Sequence, residues 1–248
     1  MIYLKSKEEI ELMRQSGRLV ALILSRLKEI VAPGVTTLEL DQWAEDFIRH
    51  NGATPAFKGY RGYPNTICAS VNHQVVHTIP SGEKLKEGDI ISIDVGVNLN
   101  GYCGDAAATF PVGIVSSEAI KLMQVTQQCL YKGIEQALAD NRIGDISYAV
   151  QAMAEANGFS VVREYTGHGI GRNMHEEPQV PHFGIPHTGQ RLREGMVLAI
   201  EPMVNAGSHE VVALADGWTV ITKDGSLSAQ FEHTVAITAE GPDILSKL

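Results

Sequence analysis

Three cysteines in 248 residues, Cys68, Cys103 and Cys129, are too few and too irregularly spaced to frame a disulfide scaffold. They read as free thiols and suit a reducing compartment. Positive charge is also scarce: 20 Lys and Arg against 29 Asp and Glu leave a formal charge of −9, which argues against a general nucleic-acid binder or a protein drawn to anionic membranes. No apolar stretch reaches the roughly 20 residues that span a bilayer, and the first nine residues lack a cationic segment running into an apolar one. These absences point to a cytoplasmic protein with no membrane partner. No polar, Pro- or Ser-rich joint interrupts the chain, so residues 1–248 are expected to form a single domain, and at 44% hydrophobic they can bury a large core.

What the chain does contain is one phrase stated twice. Leu85-Lys86-Glu87-Gly88-Asp89-Ile90-Ile91-Ser92-Ile93-Asp94 and Leu192-Arg193-Glu194-Gly195-Met196-Val197-Leu198-Ala199-Ile200-Glu201 each pass from a charged glycine turn into an apolar stretch and end on a carboxylate. The surrounding halves, about residues 1–112 and 113–248, share a plan. Ser6 with Glu9 predicts a capped helix that ends before Pro33-Gly34, and Thr36 with Glu39 predicts a shorter one closing at Asn51-Gly52. In the second half, Ser117-Glu118 opens a helix through about Leu138, and Asp145 is expected to cap another that closes at Asn157-Gly158. Strand-like runs follow each helix pair. The second set is longer, with turns marked by Gly207, Asp216-Gly217 and Asp224-Gly225. The expected class is α+β, with a central sheet and helices on its outer side.

A carboxylate at the end of a buried strand needs compensation, so Asp94 and Glu201 in matching places predict cations between them. The Asn100-Gly101 turn brings Asp105 back beside Asp94, and Glu232 stands in a similar relation to Glu201. Four such acids carry about four negative charges, the amount two divalent ions neutralise. His168, inside Gly167-His168-Gly169-Ile170-Gly171, adds a nitrogen ligand, its glycines expected to let the imidazole into a crowded site. Carboxylates with one imidazole suit Mn, Fe or Co, or Zn by adaptation. His77 and His175 share a His-x-x-Pro frame and are acid, base or oxyanion-donor candidates. The glycine run has no Lys or Ser/Thr at phosphate-loop spacing. His73, His182, His187 and His209, and with them His50 and His233, have no counterpart in the repeat and read as surface or loop residues.

With these residues in this order, the sequence resembles the methionine aminopeptidases in their short bacterial type I form, over essentially the whole chain. The marks are Ile93-Asp94-Val95, Gly101-Tyr102-Cys103-Gly104-Asp105, the glycine run around His168, Ile200-Glu201-Pro202-Met203 and Glu232-His233-Thr234. The resemblance implies the pita-bread fold, two pseudo-symmetric αβ halves around a central antiparallel sheet. It also implies metal-dependent removal of the initiator Met from nascent proteins whose second residue is small, with a water held between the two ions as nucleophile. Asp94 would chelate one metal, His168 and Glu201 the other, and Asp105 and Glu232 both. Glu201 would shuttle the proton, His175 would stabilise the oxyanion, and His77 would contact the substrate backbone. Phe57, Tyr60, Tyr63, Cys68, Met174 and Trp218 match the pocket for the Met side chain. Phe57 stands where many members have Cys, Met174 where an aromatic is common, and Thr78 where Gly is usual. N-terminal Met peptides are the expected partners, with transient ribosome contact compatible, and a monomer is expected. The rival readings are a prolidase-like or aminopeptidase P-like enzyme, which usually carries an added N-terminal domain, and a catalytically dead binding module, which loses metal ligands.

Overall fold

Each half opens with a pair of helices whose starts are written in side chains. In the computed structural model, which describes residues 2–248, α1 (Lys7–Ile30) and α2 (Thr37–His50) both begin with a complete capping box, Ser6 with Glu9 and Thr36 with Glu39. The hydroxyl accepts the amide of the third helical residue and the Glu carboxylate accepts the cap amide, so two otherwise unpaired N–H groups are satisfied. α3 (Ser117–Glu135) and α4 (Ile143–Ala156) repeat the pair. α3 stops before Leu138 because its last turn tightens: Gln136 N bonds Gly133 O and Ala137 N bonds Ile134 O. Asp145 is not the cap of α4. It lies inside the first turn, where its carboxylate accepts the amides of Arg142 (2.8 Å) and His187 (2.7 Å).

The first half carries β1 (Thr54–Pro55), β2 (Ile67–Val71), β3 (Gln74–Val76), β4 (Ile90–Leu99) and β5 (Tyr102–Pro111). The second carries β6 (Ser160–Val161), β7 (Gly167–Gly169), β8 (Glu176–Val180), β9 (Val197–Ile200), β10 (Met203–Asn205), β11 (Val211–Ala213), β12 (Val220–Thr222), β13 (Ser228–Gln230), β14 (His233–Thr238) and β15 (Gly241–Ile244). Every pairing is antiparallel. In the first half β4 pairs with β5 along its whole length and with β2 and β1 at successive positions; in the second the order is β15-β14-β9-β7-β8. The repeated phrases occupy equivalent turns: Gly88 (φ +92°) precedes β4 and Gly195 (φ +86°) precedes β9, both in the left-handed region that favours glycine.

Helices cover the outside and the halves meet through hydroxyls. Val20, Ile23 and Leu27 of α1 and Leu40 of α2 pack on Ile91, Ile93 and Val95 of β4, and α3 and α4 cover the second half in the same way. Along the seam, Asp105 N donates to Thr234 Oγ1 (3.1 Å), which donates to Asp105 O (2.7 Å). Gln230 N and O both bond Thr109 Oγ1, and Glu232 N donates to Ala107 O (2.8 Å). β5 is therefore fastened to the 230–234 segment. α1 also lies in backbone contact with β5, since a Cβ on Gly104 would meet Gly17 N at 2.7 Å, and with the residue after β15, since one on Gly17 would meet Leu245 O at 2.5 Å. Among the described residues no helix is long and apolar enough to cross a membrane.

Candidate metal centre and its cavity

Four carboxylates arrive at the seam from two pairs of strands. The tight turn at Asn100 (φ +56°) and Gly101 (φ +81°) sets a register in which Asp94 faces Ala107 and Asp105 faces Gly96. Asp94 and Asp105 are thus diagonal neighbours on one face, offset by two positions rather than directly opposite. Glu201 directly follows β9 and Glu232 directly precedes β14, strands paired through Ile200 and His233. His168 is the centre of β7, opposite Ala199 of β9.

The glycines around His168 serve a purpose other than admitting its ring. A Cβ on Gly167 would lie 2.4 Å from Ala199 O, and one on Gly169 would lie 2.3 Å from Glu177 O, so both make room for neighbouring backbone. A Cβ on Gly171 would meet Lys5 Cε at 2.6 Å and Glu176 Oε1 at 2.7 Å.

All five side chains line one cavity of about 260 Å³. His168 Nε2 lies 3.6 Å from Glu201 Oε1 and 3.8 Å from Asp105 Oδ2, and ligand atoms of Asp105, His168 and Glu232 lie within 4.8 Å of one another. His168 Nδ1 sits 2.9 Å from Gly169 O, which only accepts, so Nδ1 carries the proton and the Nε2 lone pair faces the acids. Burial pushes the Asp94 carboxyl up to about 7. It also raises Asp105 well above the ordinary carboxylate range, reinforced by the charges of Glu232 and Asp94. Glu201 is raised by burial and then by Asp94 and Asp105, and Glu232 by burial and then by Glu201 and Asp94. Burial, with His175 nearby, lowers His168 to about 3 and keeps it neutral. Asp94 Oδ1, Asp105 Oδ1 and Glu232 Oε1 are buried without a hydrogen-bond partner. A neutral imidazole lone pair among unpartnered carboxylate oxygens fits hard or intermediate divalent cations, which remove both the repulsion and the unpaired acceptors.

The remaining wall is aromatic and sulfur-bearing. Phe57, Tyr60, Tyr63, Cys68 and Trp218 line the cavity, with Tyr63 edge-on to Trp218 at 5.1 Å. Met174 does not line it; it is buried behind Phe57, where both reach the space left by the missing Cβ of Gly96. His77, at φ +59°, packs edge-on to Tyr165 (5.4 Å), and burial lowers it to about 4. His175 is accessible, stacks on Tyr60, bonds its hydroxyl through Nδ1 (3.0 Å), and lies 4.2 Å from the His168 ring. Thr78 Oγ1 accepts from Ser70 Oγ (3.0 Å).

Arg61, Glu164, Tyr165, Thr166 and Met203 also line the cavity. Tyr165-Thr166 directly precede the glycine run around His168 and Met203 is the last residue of the Ile200-Glu201-Pro202-Met203 mark, which is the signal the sequence offers for them. His182 is not a surface residue: it is 3% exposed, with burial lowering it to about 4. His233 is half-buried, its Nδ1 bonded to Ser246 Oγ at 2.9 Å.

A profile of metallopeptidase family M24 matches residues 11–239. The chain is 57% identical to the methionine aminopeptidase of Clostridium perfringens over 246 residues, 99% of each chain. It is 55% identical to methionine aminopeptidase 1 of Bacillus subtilis over 248 residues, 100% of each. Among solved structures, the methionine aminopeptidase of Rickettsia prowazekii superposes with a TM-score of 0.98 at 44% identity, covering 99% of this chain and 100% of that one. The Xaa-Pro dipeptidase of Bacillus anthracis gives 0.80 at 21% identity, covering 99% of this chain and 62% of its own, a likeness of fold alone.

Proposed function

The chain belongs to metallopeptidase family M24, among the methionine aminopeptidases, and removes N-terminal methionine by metal-dependent hydrolysis; on that premise we propose which of its residues do so and on which peptides. Asp94, Asp105, His168, Glu201 and Glu232 would hold a pair of divalent ions, Co, Mn, Fe or Zn. The observation that carries this reading is the set of unpartnered acid oxygens converging on the His168 lone pair in one cavity. Divalent ions bound there would lower the pKa of a water and polarise the scissile carbonyl.

The chain's own groups supply the rest. Gln230 Nε2 holds Glu201 Oε2 at 3.3 Å, leaving Oε1 toward His168 as the atom that takes and returns the proton. His175 has Nδ1 engaged by the Tyr60 hydroxyl at 3.0 Å, and in the neutral tautomer in which that hydroxyl donates, its Nε2–H would donate to the oxyanion formed at the peptide carbonyl. Neutral His77 donates to the substrate backbone. Phe57, Tyr60, Tyr63, Cys68 and Trp218 receive the Met thioether, with Met174 supporting Phe57 from behind. His77 packed on Tyr165 and His175 packed on Tyr60 narrow the space beyond the first residue, which favours a small second one. Ligands drawn from both halves support reading residues 1–248 as one domain. Nascent chains in the cytoplasm, with transient ribosome contact, are the proposed setting.

The test is release of free Met from Met-Ala-Ser, compared with Met-Lys-Ser and an Xaa-Pro peptide, with and without chelator. Preferential, chelator-sensitive cleavage of Met-Ala-Ser is expected, and equal or chelator-insensitive cleavage refutes it. Elemental analysis of protein purified without added ions identifies the metal and its number.

A further inference from the structure

The loop between β7 and β8 begins two residues after His168 and ends on His175, and its outer side is closed by residues 3–5. Lys5 Nζ lies 2.6 Å from Glu176 Oε2, with both side chains only 6% exposed. Glu176 Oε1 accepts the Asn173 amide across the loop (3.2 Å), and Lys5 Nζ also donates to Tyr3 O (3.1 Å). The Lys5 backbone amide is fixed separately, donating at 2.7 Å to Gly195 O in the turn that precedes β9. One residue thus ties the turn leading to Glu201 to the loop carrying His175. Gly171 is bare because this ion pair occupies the space its Cβ would need, which accounts for the last glycine of the run. A neighbouring contact follows the same path: Arg172 lies 4.5 Å over the Tyr102 ring and 3.7 Å from Glu9 at the start of α1.

We propose that Lys5 and Glu176 are positioning residues for the reaction, a latch through which the N-terminal segment holds the His175 loop in place. Glu176 is joined to His175 by one peptide bond. Fixing the carboxylate between Lys5 Nζ and Asn173 N restricts the backbone from which the imidazole projects, and the Tyr60 hydroxyl then selects its ring orientation. Neither Lys5 nor Glu176 lines the metal cavity. This inference rests on the reading that His175 meets the reacting carbonyl.

The experiment compares Lys5→Met, Glu176→Gln and the conservative Lys5→Arg, each in the full chain and each repeated on a His175→Ala background. With Met-Ala-Ser, Lys5→Met and Glu176→Gln are expected to lower kcat about tenfold or more while KM stays within about twofold. Lys5→Arg should recover most of the loss. On the His175→Ala background Lys5→Met should cause no further fall. The same fall in both backgrounds, or wild-type kcat in Lys5→Met, overturns the latch. A second readout is independent of turnover: the His175 ring signals in NMR, assigned by their loss in His175→Ala, should shift and broaden in Lys5→Met, and unchanged signals overturn the proposal. A wild-type protein that releases no Met would sink the functional reading instead, and the NMR comparison would still decide the latch.

Discussion

Gly104→Ala tests whether the seam beneath the metal centre is as tightly built as the structure indicates. The added Cβ would lie 2.7 Å from Gly17 N, 2.7 Å from Ser16 C and 2.9 Å from Ser16 Cβ. Ordinary contact lies near 3.4 Å or beyond, so α1 and β5 must part by roughly 0.7 Å, and the obstacle is mostly backbone with no rotamer to yield. β5 has little freedom to move, because Asp105 N and O are both bonded to the Thr234 hydroxyl, at 3.1 and 2.7 Å. Overpacking of about 1–3 kcal/mol plus about 1 kcal/mol of weakened hydrogen bonding gives about 2–4 kcal/mol, which lowers Tm by about 5–15 °C in a chain of this length. Asp105 is the next residue, so metal affinity should fall as well. Gly82→Ala is the matched control, having no positive φ and nothing within 4 Å of its added Cβ; it should be neutral or raise Tm slightly. Calorimetry and titration with a divalent metal check both. A Gly104→Ala protein with the Tm and metal affinity of the control would refute the close-approach reasoning.

His168→Ala should abolish Met release chiefly by losing metal, read as a drop in bound metal per chain in a protein that remains folded. In metal-free protein, Asp94 is raised from the ordinary carboxylate range to about 7, so at this site the folded chain binds more protons than the unfolded one between about pH 4 and 7. Asp94 therefore contributes stability that is lost as pH rises through that window, opposite in sign to His77, His168, His182 and His233, whose lowered values make the unfolded chain the better proton binder at those sites. The Tm of apo wild type relative to apo Asp94→Asn should fall between about pH 4 and 7, and a difference that stays flat or rises contradicts the raised Asp94 carboxyl. Asp41→Ala should cost about 2–4 kcal/mol in chemical denaturation, because Asp41, 4% exposed, accepts the buried amides of Thr66 and Ile67 at 2.8 and 2.9 Å. Asp41→Asn, which can keep one acceptor oxygen in place, should cost less.

The parts legible in the sequence are those governed by short range. Ser6 with Glu9 and Thr36 with Glu39 place helix starts because the partners are three residues apart. The Asn100-Gly101 turn places a hairpin because its backbone demands positive φ at both residues. The metal-centre residues could be brought together only because duplication supplied the long-range pairing that a single copy conceals. Where no repeat vouched for a residue, the reading weakened: His182 looked like a loop residue because nothing local signals that its loop is covered. Asp145 looked like a cap because the amide of His187, which it also accepts, is distant in sequence. The glycines around His168 read as room for the ring they flank, whereas each is required by an atom from elsewhere: Ala199 O, Glu177 O and Lys5 Cε.

The duplicated plan is carried out with Asp in one half and Glu in the other. Asp94 and Asp105 project from within a paired hairpin, where the strands themselves carry the carboxylates to the seam and a short side chain suffices. Glu201 and Glu232 stand opposite each other between the β9–β14 pairing at Ile200 and His233 and the β10–β13 pairing at Met203 and Gln230, with Phe231 N bonded to Pro202 O between them. Longer side chains are harder to fix, and the second half provides the restraint: Gln230 holds Glu201, and the Glu232 amide is bonded across the seam to Ala107. The two halves are therefore equivalent in plan and unequal in execution. His168 joins them from β7, its lone pair 3.6 Å from Glu201 Oε1 and 3.8 Å from Asp105 Oδ2, so that it meets acids contributed by both halves.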